Sequence, residues 1–169
     1  YMKEAISEPC NEEQLEAAEK ALRAKLNSLS LVQPEGTFRT ARKEAAKLFD
    51  RKILFTENPR KVESVVFTKE GYRIKIEAVI NGEQKTLYAS YKAWKRNNLY
   101  PDDFTKKYQS VAYAMDAEAL YLSVGLINTS YKEEYSLWVN SEDKVIATWR
   151  PNVTYLPEEP DMVWKFTGT

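Results

Sequence analysis

Histidine is absent from the 169-residue chain. It is the side chain that titrates near neutral pH and the commonest protein ligand for transition metals. Without it, neither a Ser-His-Asp triad nor a Cys-His nucleophile can be built, and histidine-bearing zinc, copper or non-haem iron sites are excluded. The composition therefore removes several large enzyme classes and predicts no catalytic residue of these types.

Cysteine and glycine are also scarce. Cys10 is the only cysteine, which excludes an internal disulfide framework and a cysteine-cluster zinc site. The five glycines do not form a phosphate-cradling arrangement, so neither a P-loop nor a dinucleotide fingerprint is present. The sequence predicts no cofactor and no metal.

Neither an excess of charge of one sign nor a long apolar run occurs. Lysine plus arginine equal aspartate plus glutamate at 25 each, so the net charge of zero argues against nucleic acid as a partner. The apolar runs stay well short of the roughly 20 residues that cross a bilayer, which predicts no membrane span. The chain begins at Tyr1 without a signal peptide, and this start favours a processed extracytoplasmic chain over a cytoplasmic one.

The size of the chain and its 43% hydrophobic content predict a single globular domain over residues 1–169. Within it we expect a flexible lead-in at 1–10, a helical part at 11–50 and a β-rich part at 64–149. An irregular tail is expected at 150–169, in which Met162–Phe166 has the pattern of an added edge strand.

Two helices are predicted near the start. The first begins at Asn11, which can cap it, and its apolar residues recur at spacings of three and four: Leu15, Ala18, Leu22, Leu26 and Leu29. The second is expected from Thr37 to about Asp50 and carries a basic side of Arg39, Arg42, Lys43 and Lys47. We interpret this side as a solvated face neutralised by the acidic first helix, with an anionic-partner patch as the alternative.

Tyr72 to Tyr91 gives the clearest β signal. Apolar and polar residues alternate on both sides of Asn81-Gly82, a dipeptide that tolerates the positive φ angles of a type I′ turn. The two-residue loop places Ile76 opposite Leu87 on one face and Lys75 opposite Tyr88 on the other. Ser64–Thr68 is predicted as a third strand, with Val65 and Phe67 on the far face, covered by the two helices.

Two more hairpins are predicted further along. One pairs Val111–Met115 with Leu120–Leu126 around Asp116-Ala117-Glu118, after a short helix near Pro101–Tyr108, in preference to one long helix. The other pairs Tyr135–Val139 with Lys144–Trp149. The predicted fold class is α+β, with two N-terminal helices packed on a curved, mainly antiparallel β-sheet built from successive hairpins.

Aromatic residues make up 12% of the chain, and several stand on predicted strands or beside turns. Exposed Tyr and Trp give a large contact area at little entropic cost, whereas buried ones simply fill a core. The candidate binding surface combines such aromatic residues with one arginine: Tyr72, Tyr91, Trp94, Arg96, Trp138, Trp149 and Trp164. We therefore expect a non-enzymatic interaction domain that recognises a macromolecule, in the first place another protein.

Two alternatives stay open. Carboxylate pairs such as Glu133-Glu134 are compatible with a carbohydrate-binding module or a carboxylate-based glycosidase, with a glycan as the partner. The other alternative is a carrier of a small apolar ligand, with a pocket between the helices and the sheet.

Overall fold

The computed structural model describes residues 12–28, 32–37, 41, 43–98, 108–127, 129–152 and 164–169. The predicted lead-in at 1–10 lies outside these ranges. Contacts divide the chain after Val32 into two compact units. The first unit contains helix α1, Glu12–Ser28, so the first predicted helix is confirmed. In the described part of the chain, the helices are too short or too polar to span a membrane.

The second predicted helix is matched only in part by the described residues. Of the expected span Thr37–Asp50, residues 37, 41 and 43–50 are described, and among them a 3₁₀ helix runs over Lys43–Leu48. Lys43 and Asp50 adopt φ angles of +48° and +56°, left-handed conformations through which an α-helical hydrogen-bond ladder cannot continue. Ala45 and Leu48 are the buried residues of this helix, and their spacing of three places them on one side of a 3₁₀ turn.

Ten strands follow in the described residues of the second unit. They are β1 Lys52–Leu54, β2 Val62–Glu70, β3 Arg73–Ile80, β4 Glu83–Tyr91, β5 Lys95–Asn98, β6 Tyr108–Met115, β7 Ala119–Leu126, β8 Lys132–Val139, β9 Val145–Pro151 and β10 Trp164–Gly168. They form one sheet in the order β1-β2-β3-β4-β6-β7-β8-β9-β10, with β5 paired to β6. The three predicted hairpins and the strand in the tail are confirmed, whereas the predicted helix near Pro101–Tyr108 falls on residues that, up to position 107, lie outside the described ranges.

The β3–β4 hairpin has the predicted turn and register. Asn81 and Gly82 both take positive φ angles, +51° and +76°, as a type I′ turn requires. Ile76 pairs with Leu87 and Lys75 pairs with Tyr88. The sequence therefore determined this register through its turn.

The predicted face of β2 is wrong. Val65 pairs with Ala78 and Phe67 pairs with Ile76, so these residues share one face, and all four are buried. The cause is the two-residue turn at Gly71-Tyr72, which makes Glu70 the partner of Arg73. This first pair determines which β3 residue lies opposite each β2 residue, and so which face of the sheet each β2 side chain is on. Val65 and Phe67 thus belong to the same interior as the apolar rows of β3 and β4, and not to a second, helix-covered face.

The sheet is mixed and curls into a nearly closed ring. β4 and β6 run parallel, with Ser90 beside Ala112, whereas the successive hairpins are antiparallel. The first and last strands meet where Phe55 bridges to Gly168. There the Leu54 N–H donates to the Thr169 carbonyl and the Thr169 N–H donates to that of Leu54, both at 3.0 Å. The predicted curved, mainly antiparallel sheet is therefore correct only in outline.

Asn97 joins β4 to β5 next to the short parallel pairing. Its side-chain oxygen accepts from the Tyr88 N–H at 2.7 Å, and its Nδ2 donates to the Tyr88 carbonyl at 3.0 Å. The amide therefore bonds as a backbone peptide of a neighbouring strand would, and it is almost fully buried. One side chain thus satisfies the Tyr88 backbone on this side of β4.

One end of the ring interior is filled by large side chains, and we call it the packed end. The 3₁₀ helix attaches there, with the Ala45 N–H donating to the Ala117 carbonyl at 3.3 Å. The buried residues at this end are Leu48, Met115, Leu120, Val139 and Val145. On its outer rim Lys47 and Arg51 each lie 3.8 Å from Asp143 in the β8–β9 turn, and neutralisation of the basic side by the first helix stays a prediction.

Candidate functional site

The other end of the ring interior contains a cavity of about 130 Å³. Most of its lining is apolar, and small side chains such as Ala78 and Ala147 leave room that larger ones fill at the packed end. The apolar lining consists of Phe55, Val62, Val65, Phe67, Ile76, Ala78, Ile80, Leu87, Val111, Leu122, Val124, Leu137, Ala147 and Phe166. An apolar cavity of roughly 150 Å³ holds one benzene molecule, so this cavity has room for a group close to that size.

Four polar residues also line the cavity: Arg60, Gln109, Glu133 and Tyr135. Glu133 is the most deeply buried of them, with 3% of its surface exposed. It stands in the inward row of β8, where it pairs with Val124 on β7 and Pro151 on β9. A buried carboxylate is tolerated only when it is paired and hydrogen-bonded, so its partners decide whether the site is stable.

Three side chains bind the Glu133 carboxylate. Arg60 Nη2 lies 3.0 Å from Oε1 and 3.1 Å from Oε2. The Tyr131 hydroxyl donates to Oε1 at 2.9 Å, and the Tyr135 hydroxyl donates to Oε2 at 2.8 Å. The carboxylate therefore receives four contacts, which matches its capacity of about four lone-pair sites. We call Arg60, Glu133, Tyr131 and Tyr135 the polar cluster.

Arg60 reaches the cluster from the connection between β1 and β2. Asn58 holds this connection in shape, since its Oδ1 accepts from the Val62 N–H at 3.1 Å and its Nδ2 donates to the Thr56 and Val62 carbonyls, each at 2.8 Å. Arg60 Nε then donates to the Tyr135 hydroxyl at 3.3 Å, and the guanidinium carbon lies 5.2 Å from the centre of the Trp149 ring. The side chain is fixed by contacts on three sides.

The surroundings of Tyr135 and Arg60 fix the protonation states of these two side chains. Burial raises the pKa of the Tyr135 hydroxyl and the adjacent Glu133 carboxylate raises it further, so Tyr135 remains a hydrogen-bond donor. Burial acts to lower the pKa of Arg60, but Tyr135 and Glu133 outweigh it and the pKa ends above its ordinary value. The arginine therefore remains charged, and its charge is balanced by that of Glu133.

The predicted binding-surface residues lie in separate parts of the second unit. Tyr72 stands in the β2–β3 turn with 72% of its surface exposed. The segment β4–β5 carries the half-buried Tyr91 and Trp94 and the exposed Arg96, and Tyr91 packs edge-on against Tyr113 at 5.8 Å. These three residues are close together in the chain. Tyr72 lies on a different element, the β2–β3 turn, and the tryptophans lie on β8 to β10.

The remaining tryptophans divide between interior and surface. Trp138 is half-buried on β8, whereas Trp149 is 93% buried and contributes to the core beside Arg60. Trp164 pairs with Trp149 across β10 and β9, but its side chain lies outside the described part of the structure. Whether any of these residues contacts a macromolecule stays a prediction.

Sequence reasoning missed the polar cluster and the cavity. Glu133 drew attention only as half of an adjacent carboxylate pair, yet Glu134 points to the opposite face and binds Lys132 Nζ at 2.7 Å. The usable signal was the row Glu133, Tyr135, Leu137 and Val139, in which one acidic residue occupies an inward position of an otherwise apolar alternation. The cavity found here lies inside the sheet, and the pocket expected between the helices and the sheet stays a prediction.

Comparison with other proteins adds no assignment. The sequence matches no protein-family model, and no curated protein is significantly similar to it. Within the described ranges there is also no group of three or more His, Cys, Asp or Glu side chains that could hold a metal ion. The cavity and the polar cluster at its end form the candidate site.

Proposed function

We propose that this protein is a non-enzymatic binding protein that holds a small apolar molecule in the cavity inside its sheet. The observation that carries the proposal is the combination of an apolar lining with a few fixed polar groups at one end. Ligand sites commonly have this composition, because apolar walls supply affinity and a small number of polar groups fix the orientation.

The state of Glu133 supports binding over catalysis. Its two oxygens already receive contacts from Arg60, Tyr131 and Tyr135 at 2.8 to 3.1 Å. A carboxylate used as a general base or nucleophile must turn toward a substrate atom, and here that would break a buried, charge-assisted network. The contacts of the cluster keep the Glu133 carboxylate in a fixed position, which suits a binding site better than proton transfer to a substrate.

The size of the cavity sets an upper limit on affinity. The best small ligands gain about 1.5 kcal/mol per non-hydrogen atom, so one of about six such atoms is limited to about −9 kcal/mol. This corresponds to a dissociation constant of about 0.1–1 μM at the tightest. We therefore expect micromolar or weaker binding, and an experiment must use ligand concentrations that reach this range.

Cavity filling tests the proposal. We expect the wild type to bind toluene in an NMR titration. In Ala147→Leu the larger side chain occupies the cavity, so this binding should be lost while the protein stays folded. Thr148→Leu is the matched control, because the next residue of β9 faces outward and is only half-buried. Toluene that fails to bind the wild type, or that binds Ala147→Leu equally well, would contradict the proposal.

A protein partner bound at the surface is the second candidate. It is favoured by the exposure of Tyr72, a large aromatic side chain in the two-residue turn between β2 and β3. Tyr72→Ala should abolish a specific cross-link to such a partner without changing the thermal midpoint. Unchanged cross-linking in this variant would remove Tyr72 from the candidate surface.

A further inference from the structure

The polar cluster has little acceptor capacity left for a ligand. Glu133 uses both oxygens on Arg60 and the two tyrosines, and the Tyr135 oxygen accepts from Arg60 Nε at 3.3 Å while its proton goes to Glu133. An ammonium group placed at the cluster would have to displace one of these bonds, and the only other side-chain acceptor in the described cavity lining is the neutral Gln109 Oε1. The cluster therefore disfavours cationic ligands.

Donor capacity does remain at this end of the cavity. Within the described residues, Nη1 of Arg60 makes no hydrogen bond, although Nε and Nη2 are both engaged. The Gln109 side chain, which also lines the cavity, makes none to the described residues either. An oxygen on the ligand can accept from these groups without disturbing the contacts to Glu133.

The charge balance then decides between a neutral and an anionic oxygen. Arg60 and Glu133 are the only charged side chains among the described residues that line the cavity, and their charges cancel. A carboxylate brought to Arg60 would leave the site with a net negative charge next to a Glu133 group that is 3% exposed. The Arg60 side chain is 39% exposed, but Glu133 is desolvated, so a second negative charge beside it is only partly screened and an uncharged oxygen is preferred.

We propose that the ligand is an uncharged alcohol, phenol or ketone with an apolar part of about benzene size, and that its oxygen accepts a hydrogen bond from Arg60 or Gln109. This inference rests on the proposed function, since it assumes that the cavity holds a ligand. It adds the chemical class: a neutral oxygen, in preference to an anionic or cationic head group. The balanced Arg60–Glu133 pair is the specificity determinant.

The test is a matched series of ligands with one ring and different head groups: toluene, benzyl alcohol, benzoate and benzylamine, titrated into the intact protein at pH 7. One net hydrogen bond corresponds to about a 3- to 10-fold gain, so benzyl alcohol should bind tighter than toluene by that factor. Benzoate and benzylamine should each bind at least about 10-fold more weakly than benzyl alcohol, because each places an uncompensated charge in the site.

Two variants make the test specific to the charge pair. Glu133→Gln removes the balancing charge, so benzoate should become the preferred ligand and gain at least about 10-fold over its affinity for the wild type. Arg60→Lys keeps the charge but replaces the forked donors by a single ammonium group. In Arg60→Lys the affinity for benzyl alcohol should fall toward that for toluene, and the affinity for toluene should not change. This variant still tests the inference if Glu133→Gln does not fold.

The outcomes separate the two proposals. If neither toluene nor benzyl alcohol binds, the proposed function itself fails. If toluene binds but benzyl alcohol gains nothing over it, or if benzoate binds the wild type as tightly as benzyl alcohol, the cavity is a binding site and the neutral-oxygen inference is overturned. Unchanged benzoate affinity in a folded Glu133→Gln variant would also overturn it.

Discussion

The packed end and the cavity end of the ring interior are made from the same strands, yet they are closed by opposite means. At the packed end the 3₁₀ helix brings in Leu48, which is fully buried with Met115 and Leu120. At the cavity end the β1–β2 connection brings in Arg60, which binds Glu133. One end is closed by apolar contact and the other by a compensated charge.

This difference indicates how stability and function are divided in the ring. Close packing of large side chains contributes most of the stabilising dispersion and burial, and the packed end has these contacts. Small residues such as Ala78 and Ala147 forgo part of that stabilisation at the cavity end. The two ends should therefore respond differently to substitution.

The largest difference is expected from equal truncations at the two ends. Leu48→Ala should lower the free energy of unfolding by about 2–5 kcal/mol, because it opens a void in close-packed surroundings. Leu122→Ala should cost less, since Leu122 borders a cavity and has fewer contacts to lose. Urea unfolding of both variants measures this, and equal losses would show that the cavity end is packed as tightly as the other.

An intermediate effect is expected from the charge pair. Glu133→Ala should lower the free energy of unfolding by about 1–3 kcal/mol, because Tyr131, Tyr135 and Arg60 lose their acceptor. A double-mutant cycle with Arg60→Ala isolates the direct interaction, for which contacting pairs give about 0.5–3 kcal/mol. A coupling of zero would mean that the pair does not close the cavity end, and the exposed Lys144–Glu142 pair serves as control.

The smallest effect is pH-dependent and belongs to the packed end. Burial acts to raise the pKa of Asp116, but hydrogen bonds from the Tyr121 hydroxyl and the Glu118 and Ala119 N–H groups outweigh it, so the pKa falls below 3.8. Because the folded-state pKa is depressed, this stabilisation is present above pH 3.8 and is lost as the pH falls through the folded-state value. Asp116→Asn should be less stable than the wild type at pH 7, and the difference should shrink in acid.

Tyr121 gives an independent measure of the same contact. Burial and the Asp116 carboxylate raise the pKa of Tyr121 to about 12. In Asp116→Asn the titration of this phenol, followed by ultraviolet absorbance, should shift back toward pH 10. Glu118→Gln removes a charge from the same turn without this hydrogen bond and should leave the Tyr121 titration much closer to that of the wild type.

Much of the strand content was predictable because its signals are local. Asn81-Gly82 fixed a turn, and the alternation on either side fixed a register that the structure confirms. The hairpin at Asp116 was less readable, because the same stretch also fitted one long helix, and the bond from Tyr121 to Asp116 Oδ2 at 2.6 Å could not be predicted. Each of these features depends on residues close together in the chain.

The closed ring and the polar cluster were not predictable by the same reasoning. Arg60 and Glu133 are 73 residues apart, and nothing in the sequence of either segment specifies the other as its partner. The face of Val65 and Phe67 was wrong for a related reason, since it depends on counting through a turn whose length was not fixed beforehand. The second helix was overpredicted because helix-forming residues surround two left-handed positions that the pattern does not reveal.

The join between the first and last strands also has a consequence for the order of folding. It connects residues 111 positions apart, as in the bond from the Thr56 hydroxyl to the Thr167 carbonyl, so its formation carries a larger loop-closure entropy than any hairpin. We expect it to form after the rate-limiting step. A Cβ at Gly168 would lie 2.6 Å from Ile53 Cγ2, so Gly168→Ala strains this join and should speed unfolding while leaving the folding rate nearly unchanged in stopped-flow experiments. The hairpins would then assemble first as an open sheet, and the wall that Phe55 and Phe166 give the cavity would be completed last.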